Sequence, residues 1–252
     1  MELGVVATRD TRRRHRGTRA EKRVVAPQVI IVVIAAFNEA SVIGGVVRDV
    51  RQSYPNVVVV DDGSSDGTAA CALASGAVIL RHPVNLGQGA ALQTGITYAL
   101  ARGGEFIATF DADGQHACAD IAIMVRALIE HDAEVALGSR ALGKAVGIST
   151  ARRMLLHLAV LFTRLTTGLK VTDAHNGLRV FTRAAARKVK ITQNRMAHAS
   201  ELLDQVARHK MSYVEVAVTI SYTNHSKAKG QTILGAADIF GDLVLGKLAR
   251  GN

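Results

Sequence analysis

The chain predicts an α/β fold, a mostly parallel sheet with helices on both faces. Short β-branched runs alternate with stretches of helical spacing. The runs are apolar throughout, as strands covered on both faces are. Three of them end on acidic or amide residues, and ligands of such sheets bind outside the carboxyl ends of the strands. At 252 residues and 48% hydrophobic composition, the chain can bury the core of one large domain.

Residues 28–36 form the first strand, which stops at Phe37-Asn38-Glu39. Residues 40–53 carry Val42, Ile43, Val46, Val47 and Val50 at helical spacing. Pro55 resets the chain, and a second strand over 56–60 ends in Asp61-Asp62-Gly63-Ser64-Ser65-Asp66-Gly67-Thr68. A helix over 69–75, a strand over 77–81, a loop over 82–89 and a helix over 90–102 follow. The strand from Phe106 then delivers Asp111 and Asp113 on either side of Ala112, with Gly114, Gln115 and His116 behind them. A helix over 121–131 and a strand over 134–138 lead to Ser139-Arg140. Beyond this the pattern changes: 141–149 is Gly-rich and reads as a mobile loop, and 154–167 is an apolar helix. The stretch from Asp173 to Arg179 enters a short strand over 180–182. A helix over 198–209, a strand over 214–220 and an amphipathic helix over 233–248 complete the chain. The domain limits are thus a basic tail over 1–27, a domain over 28–231 and a terminal helix over 232–252.

The net charge of +10 is concentrated at the start, where eight Arg and Lys fall within the first 23 residues against three acids. With no apolar period this segment reads as disordered, attracted to an anionic membrane surface or simply solvated, with nucleic acid disfavoured as a partner. No apolar run reaches the roughly 20 residues needed to span a bilayer. Cys71 and Cys118 have no metal-ligand spacing and read as thiols of a reducing cytosol. The expected location is the cytoplasm, peripheral on the inner face of the plasma membrane.

Two carboxylates at the tip of an apolar strand need a positive partner. A hard cation, Mg²⁺ or Mn²⁺, takes one or two such groups and fills its shell with water and phosphate oxygens. Gly87, in the loop opening the helix over 90–102, offers a free backbone amide for phosphate, although neither the dinucleotide nor the P-loop glycine pattern is met. The second half supplies cations: Arg140, Arg152, Arg153, Arg179, Lys227 and Lys229. Acids on one side and Arg forks on the other describe a pocket for a highly anionic substrate.

These motifs together resemble the family 2 glycosyltransferases of GT-A, Rossmann-like fold, and within them the polyprenyl-phosphate sugar synthases. The resemblance is carried by Ala36-Phe37-Asn38-Glu39, Val60 to Thr68, Asn85 to Ala90, Asp111 to His116, Gly138-Ser139-Arg140 and Asp173 to Arg179. It implies a metal-dependent inverting enzyme that moves a sugar from a nucleotide-diphosphate sugar to a polyprenyl phosphate or a cell-envelope glycan intermediate. Ala35, Phe37, Glu39, Asp61, Asp62, Gly87, Asp111 and Ala112 would line the donor. Asp111, Asp113 and Gln115 would hold Mg²⁺ or Mn²⁺. Arg140, Arg179 and Lys227 would grip the leaving diphosphate or the acceptor phosphate, with Arg152, Arg153 and Lys229 beside them. Ala35 and Phe37 stand where the family usually has Pro and Tyr, and Gln88 where relatives often have Lys.

A hydroxyl acceptor needs a base and a phosphate acceptor needs none. Glu201 is the candidate base, and as an acid near a helix start it equally suits the helix dipole. A lipid-phosphate acceptor, a membrane partner protein and a homodimer are all compatible with the helices over 154–167 and 233–248. Two other readings remain: a sugar-phosphate nucleotidyltransferase, which lacks its Gly-rich, Arg-bearing segment here, and a non-catalytic membrane-associated binding module.

Overall fold

The computed structural model of the chain describes residues 5–8, 29–146, 150–193 and 197–221. Its strands are β1 Val5–Thr8, β2 Ile30–Ala36, β3 Asn56–Asp61, β4 Val78–Arg81, β5 Phe106–Asp111, β6 Val135–Val146, β7 Arg179–Thr182 and β8 Tyr213–Ser221. Its helices are α1 Ile43–Arg51, α2 Thr68–Ala74, α3 Gln88–Ala101, α4 Ala119–Glu130, α5 Thr150–Thr167, α6 Arg183–Lys188 and α7 Ala197–Arg208. The strands form one sheet in the order β1-β8-β6-β7-β5-β2-β3-β4. Pairing is parallel from β4 through β3 and β2 to β5, and again between β6 and β8. β7 is antiparallel to both of its neighbours, and β1 lies antiparallel on the outer edge of β8.

Successive side chains of a strand point to opposite faces, and β2 uses both. Ile30, Val32 and Ile34 pack with Ile43, Val47 and Val50 of α1 and with Ile121, Met124 and Leu128 of α4. Ile31 and Val33 pack with Leu92 and Ile96 of α3 and with Leu202, Leu203 and Val206 of α7. Each fully buried aliphatic side chain contributes about 1.5–3 kcal/mol. The continuous apolar run therefore reflects a strand with no wet face.

Four features differ from the sequence reading. The Gly-rich stretch from Ala141 is not a loop throughout, because β6 continues to Val146 beside β8 after an irregularity between Ser139 and Lys144. A Cβ at Gly143 would collide with the backbone of Val218, so this glycine permits strands to approach rather than a chain to move. Within the segment expected to be disordered, Val5–Thr8 forms a strand because β8 leaves an edge for it to cover. Helix α5 begins at Thr150 rather than Met154. Helix α6 was not anticipated, although Thr182 caps it by accepting from the Ala185 amide at 3.2 Å ahead of an Ala-rich run. The amphipathic helix expected over 233–248 lies outside the described residues.

The register fixes where the chemistry sits. Ala35 of β2 pairs with Asp111 of β5, and Ala36 pairs with Asp61 of β3. The acids of two strands flanking β2 therefore end one residue apart along the same sheet edge.

Candidate active site at the carboxyl edge of the sheet

The rim is built first by the two loops that leave β2 and β3. Asn38 adopts a positive φ of 53°, and its side-chain oxygen accepts from the Ser65 amide at 3.0 Å while its own amide donates to Ser64 Oγ at 2.9 Å. The Glu39 amide donates to Thr68 Oγ1 at 2.8 Å, and the Ala40 amide to Asp66 Oδ2 at 3.1 Å. The Ser, Thr and last Asp of the acidic motif thus zip the two loops together, a role the sequence reading did not assign them. Phe37 is left 43% exposed at the lip, free to take a planar group on its face.

Asp61 and Asp62, expected to line the donor, are buried at the carboxyl end of β3. Asp61 accepts from the Ser64 amide at 3.1 Å and meets Arg81 Nε at 3.2 Å. Asp62 accepts from the Leu86 amide at 3.0 Å and the Gly87 amide at 2.7 Å, and contacts His82 Nδ1 at 2.7 Å. The Gly87 amide, expected to hold a phosphate, is therefore already engaged. A carboxylate sunk at a strand end gathers backbone donors because burying it bare would cost several kcal/mol.

Asp111 and Asp113 are different. The Asp111 carboxylate is held at 2.7 Å by His116 Nε2, and Gln88 Nε2 lies 3.5 Å from its other oxygen. Gly177 presses against it so closely that a Cβ there would strike the carboxylate, and Thr109 fixes that turn by donating to the Gly177 carbonyl at 2.7 Å. Burial alone would raise Asp111, but His116, with Arg179 and His198 nearby, outweighs burial and holds it below the usual carboxylate range. Asp113 moves the other way: burial first, then the Asp111 charge and to a lesser degree Glu39, push it up. Gln115 donates to Asp113 from its backbone at 3.1 Å and its side-chain amide at 2.5 Å. Ala112 between the two acids is buried in the core facing α1 and α4, and Ala35 is part-buried against the opposite core.

A carboxylate raised by burial and then by a second carboxylate beside it is what a divalent cation relieves. Among the described residues no group of three or more His, Cys, Asp or Glu makes a self-sufficient metal cage. That donor set suits a hard cation that completes its shell with water and a ligand's phosphate oxygens. Three polar atoms, one on His116 and two on the segment preceding Gly177, are also buried without a hydrogen-bond partner: His116 Nδ1, His175 Nε2 and Asn176 Nδ2. Such groups typically cost about 1–3 kcal/mol each when left unmade.

The cations come from the other half of the sheet and are less free than expected. Arg140 forms a bidentate pair with Asp173, Nε to Oδ2 at 2.7 Å and Nη2 to Oδ1 at 2.8 Å, and its backbone amide donates to the same carboxylate at 3.0 Å. Asp173 is held from below by Glu215, a buried acid of β8 absent from the sequence reading, which accepts from the amides of Thr172 at 2.7 Å and Asp173 at 3.3 Å. Burial raises Glu215. Arg179, expected to grip a leaving group, is buried at the start of β7 and is lowered to about 10 by burial, with Asp111 and Asp173 opposing that shift. It balances acids from beneath rather than reaching outward. His175 is lowered to about 4 by burial and stays neutral near pH 7. Arg153 is exposed on α5, while the side chain of Arg152 and residues Lys227 and Lys229 lie outside the described residues.

Glu201 does not stand free as a base. It is 6% exposed, and its carboxylate accepts from the amides of Thr192 at 3.0 Å and Gln193 at 2.8 Å and from Thr192 Oγ1 at 2.5 Å. It clamps the loop that precedes α7.

Comparison with known proteins agrees with this geometry. Residues 31–190, more than half of the chain, match the model of glycosyl transferase family 2. A UDP-N-acetylglucosamine–dolichyl-phosphate N-acetylglucosaminyltransferase of Methanococcus voltae is 30% identical over 248 residues, covering 90% of this chain and 99% of its own. A polyprenol monophosphomannose synthase of Mycolicibacterium smegmatis is 28% identical over 222 residues, covering 82% and 83%. Among solved structures, glucosyl-3-phosphoglycerate synthase of Mycobacterium tuberculosis in complex with Mn²⁺, UDP and phosphoglyceric acid matches with a TM-score of 0.70 at 19% identity, covering 88% of this chain and 78% of that one. That likeness establishes the GT-A fold. With acids and aromatic at the strand ends and the family pattern spanning β2 to α6, the chain belongs to glycosyl transferase family 2 and is a glycosyltransferase.

Proposed function

We propose that this glycosyltransferase moves a sugar from a nucleoside-diphosphate sugar to a polyprenyl phosphate, with inversion at the anomeric carbon. The observation that carries the donor side is the placing of Asp111 and Asp113 on either side of Ala112 at the end of β5, with Asp113 raised by burial first and then by the Asp111 charge and, to a lesser degree, Glu39. Asp113, with Asp111 and the Gln115 side chain, would hold Mg²⁺ or Mn²⁺ there. The cation would supply charge neutralisation for the departing diphosphate. Phe37 offers its exposed face to the base, and Glu39 borders the same opening.

In the transfer, an acceptor phosphate oxygen forms a bond to the anomeric carbon as the bond from that carbon to the nucleoside diphosphate breaks, and the diphosphate keeps the electron pair. No proton needs removal from an ionised phosphate. The commitment of Glu201 to the 192–193 loop supports this acceptor, since a hydroxyl acceptor would need a carboxylate within reach. The two relatives whose names specify lipid phosphates point the same way.

The test is incubation with polyprenyl phosphate and radiolabelled UDP- and GDP-sugars, with and without Mn²⁺. Metal-dependent label in an organic-extractable product is expected. Label only in water-soluble product removes the lipid-phosphate acceptor, and turnover unchanged by a chelator removes the cation.

A further inference from the structure

Helix α5 turns an unusual face outward. Met154, Leu158, Leu161 and Leu165 are 66%, 52%, 53% and 77% exposed. At 3.6 residues per turn these four fall within about 60° of the helix circumference. Large apolar side chains scattered singly are ordinary on a surface, whereas a contiguous row marks a contact. The exposed residues Arg153, His157 and Arg164 run along one side of the row. No Asp or Glu occurs anywhere among the 18 residues of the helix.

The opposite side of α5 is anchored. Thr163 is buried and the helix packs on α7, while Arg164, on the border and exposed, donates from Nε to the Val171 carbonyl at 2.7 Å and so fixes the carboxyl-terminal turn. The outward row is therefore not the displaced core face of a loosely placed helix. At about 27 Å long it is too short and too charged to cross a bilayer, and no helix among the described residues is long and apolar enough to do so.

We propose that this outward face of α5 docks the protein flat on an anionic lipid surface. An apolar row with a one-sided cationic border and no acids is the pattern of a helix lying in a membrane interface, its leucines among the acyl chains and its basic side chains at the headgroups. A second copy of the chain is the poorer occupant, because an antiparallel pair of these faces would set the two cationic borders side by side, and the helix has no acid to place between them. The use of this surface rests on the lipid-phosphate reading given above: α5 follows β6, the strand carrying Arg140, so docking would bring the active edge to where a polyprenyl phosphate resides.

The test is co-sedimentation of the full chain with phosphatidylcholine vesicles, with and without phosphatidylglycerol, for wild type, Leu158→Glu/Leu161→Glu and the milder Leu158→Ala/Leu161→Ala. Binding that requires phosphatidylglycerol is expected. It should fall about tenfold or more in the Glu pair and less in the Ala pair, with melting temperatures unchanged because the positions are exposed. Wild-type protein that stays off the vesicles, binding independent of phosphatidylglycerol, or a Glu pair that binds like wild type would overturn the proposal. So would a Glu pair that turns a dimer into a monomer without altering vesicle binding, which gives the face to a second copy. Protease sensitivity newly gained at 222–252 in that variant would give it to the chain's own end. The docking face and the acceptor fail separately: vesicle binding without organic-extractable product removes only the acceptor, and transfer to a short water-soluble prenyl phosphate without vesicle binding removes only the docking face.

Discussion

The two halves of the sheet handle buried charge in opposite ways. On the β6–β7–β8 side each acid has a cation or a full set of donors: Asp173 pairs with Arg140, Glu215 caps the Thr172-Asp173 amides, and Arg179 lies beneath. On the β2–β3–β5 side, Asp62 is satisfied by the Leu86 and Gly87 amides and His82, Asp61 takes one loop amide and an ion-pair contact from Arg81 while its Oδ2 lacks a hydrogen bond, and Asp113 lies near Asp111 and Glu39. One half is locally balanced, and the other leaves carboxylates short of donors or beside each other at the strand ends, most of all at Asp113. Glu215 is raised as well, but it is held by donors from Thr172 and Asp173. Among the described residues the donors of Asp113 come from Gln115 alone and two further carboxylates lie near it, the arrangement that points to function.

That contrast can be broken most sharply at Asp113. Asp113→Ala should lower turnover by about 10²–10³-fold or more, with the melting temperature unchanged or higher, because removing a carboxylate repelled by its neighbours relieves the native state. A variant that keeps wild-type turnover in a metal-dependence assay would end the distinction between the two kinds of acid.

Asp173→Asn attacks the balanced half. It leaves Arg140 with a broken bidentate pair, so unfolding in denaturant should show a loss of about 3–5 kcal/mol, with activity following stability. A loss of turnover with full stability would move Arg140 and Asp173 into the reacting site.

The third test is titration. His175 has an ordinary value of 6.5 and a folded value of about 4, so between these the unfolded chain binds a proton that the folded chain does not. Stability from this group is complete above 6.5 and is lost as pH falls towards 4, by up to about 3 kcal/mol. Thermal melts of wild type and His175→Gln across that window should show a steeper acid loss in the wild type. Parallel curves would place the histidine in contact with solvent.

The smallest effect is expected at Glu201→Gln. Weakening the clamp on Thr192 and Gln193 should cost about 1–2 kcal/mol of stability and change turnover less than tenfold. A collapse of kcat at unchanged stability would restore this carboxylate as the base, and with it a hydroxyl acceptor.

Much of this was legible in the chain. The continuous Val and Ile runs gave the strands because a strand buried on both faces leaves no alternation to misread. The pair Asp111 and Asp113 stood out because acids are costly at the end of an apolar strand. The stretch from Ala141 was misread because glycine signals both a loop and a close backbone approach, and only the neighbour, Val218, tells which. Glu215 was hidden in an apolar strand over 214–220, with no periodic signal to separate a clamp from an outward-facing residue.

Local chemistry therefore determined the element order, the strand ends and which residue types gather there, since hydrophobic period and turn residues act over a few positions. Tertiary structure alone decided which carboxylates are used up. Hydrogen bonds from Leu86 and Gly87 to Asp62, from Thr192 to Glu201 and from Arg140 to Asp173 join residues from 9 to 33 positions apart. The charge left at Asp113 is what remains once those distant donors have been assigned.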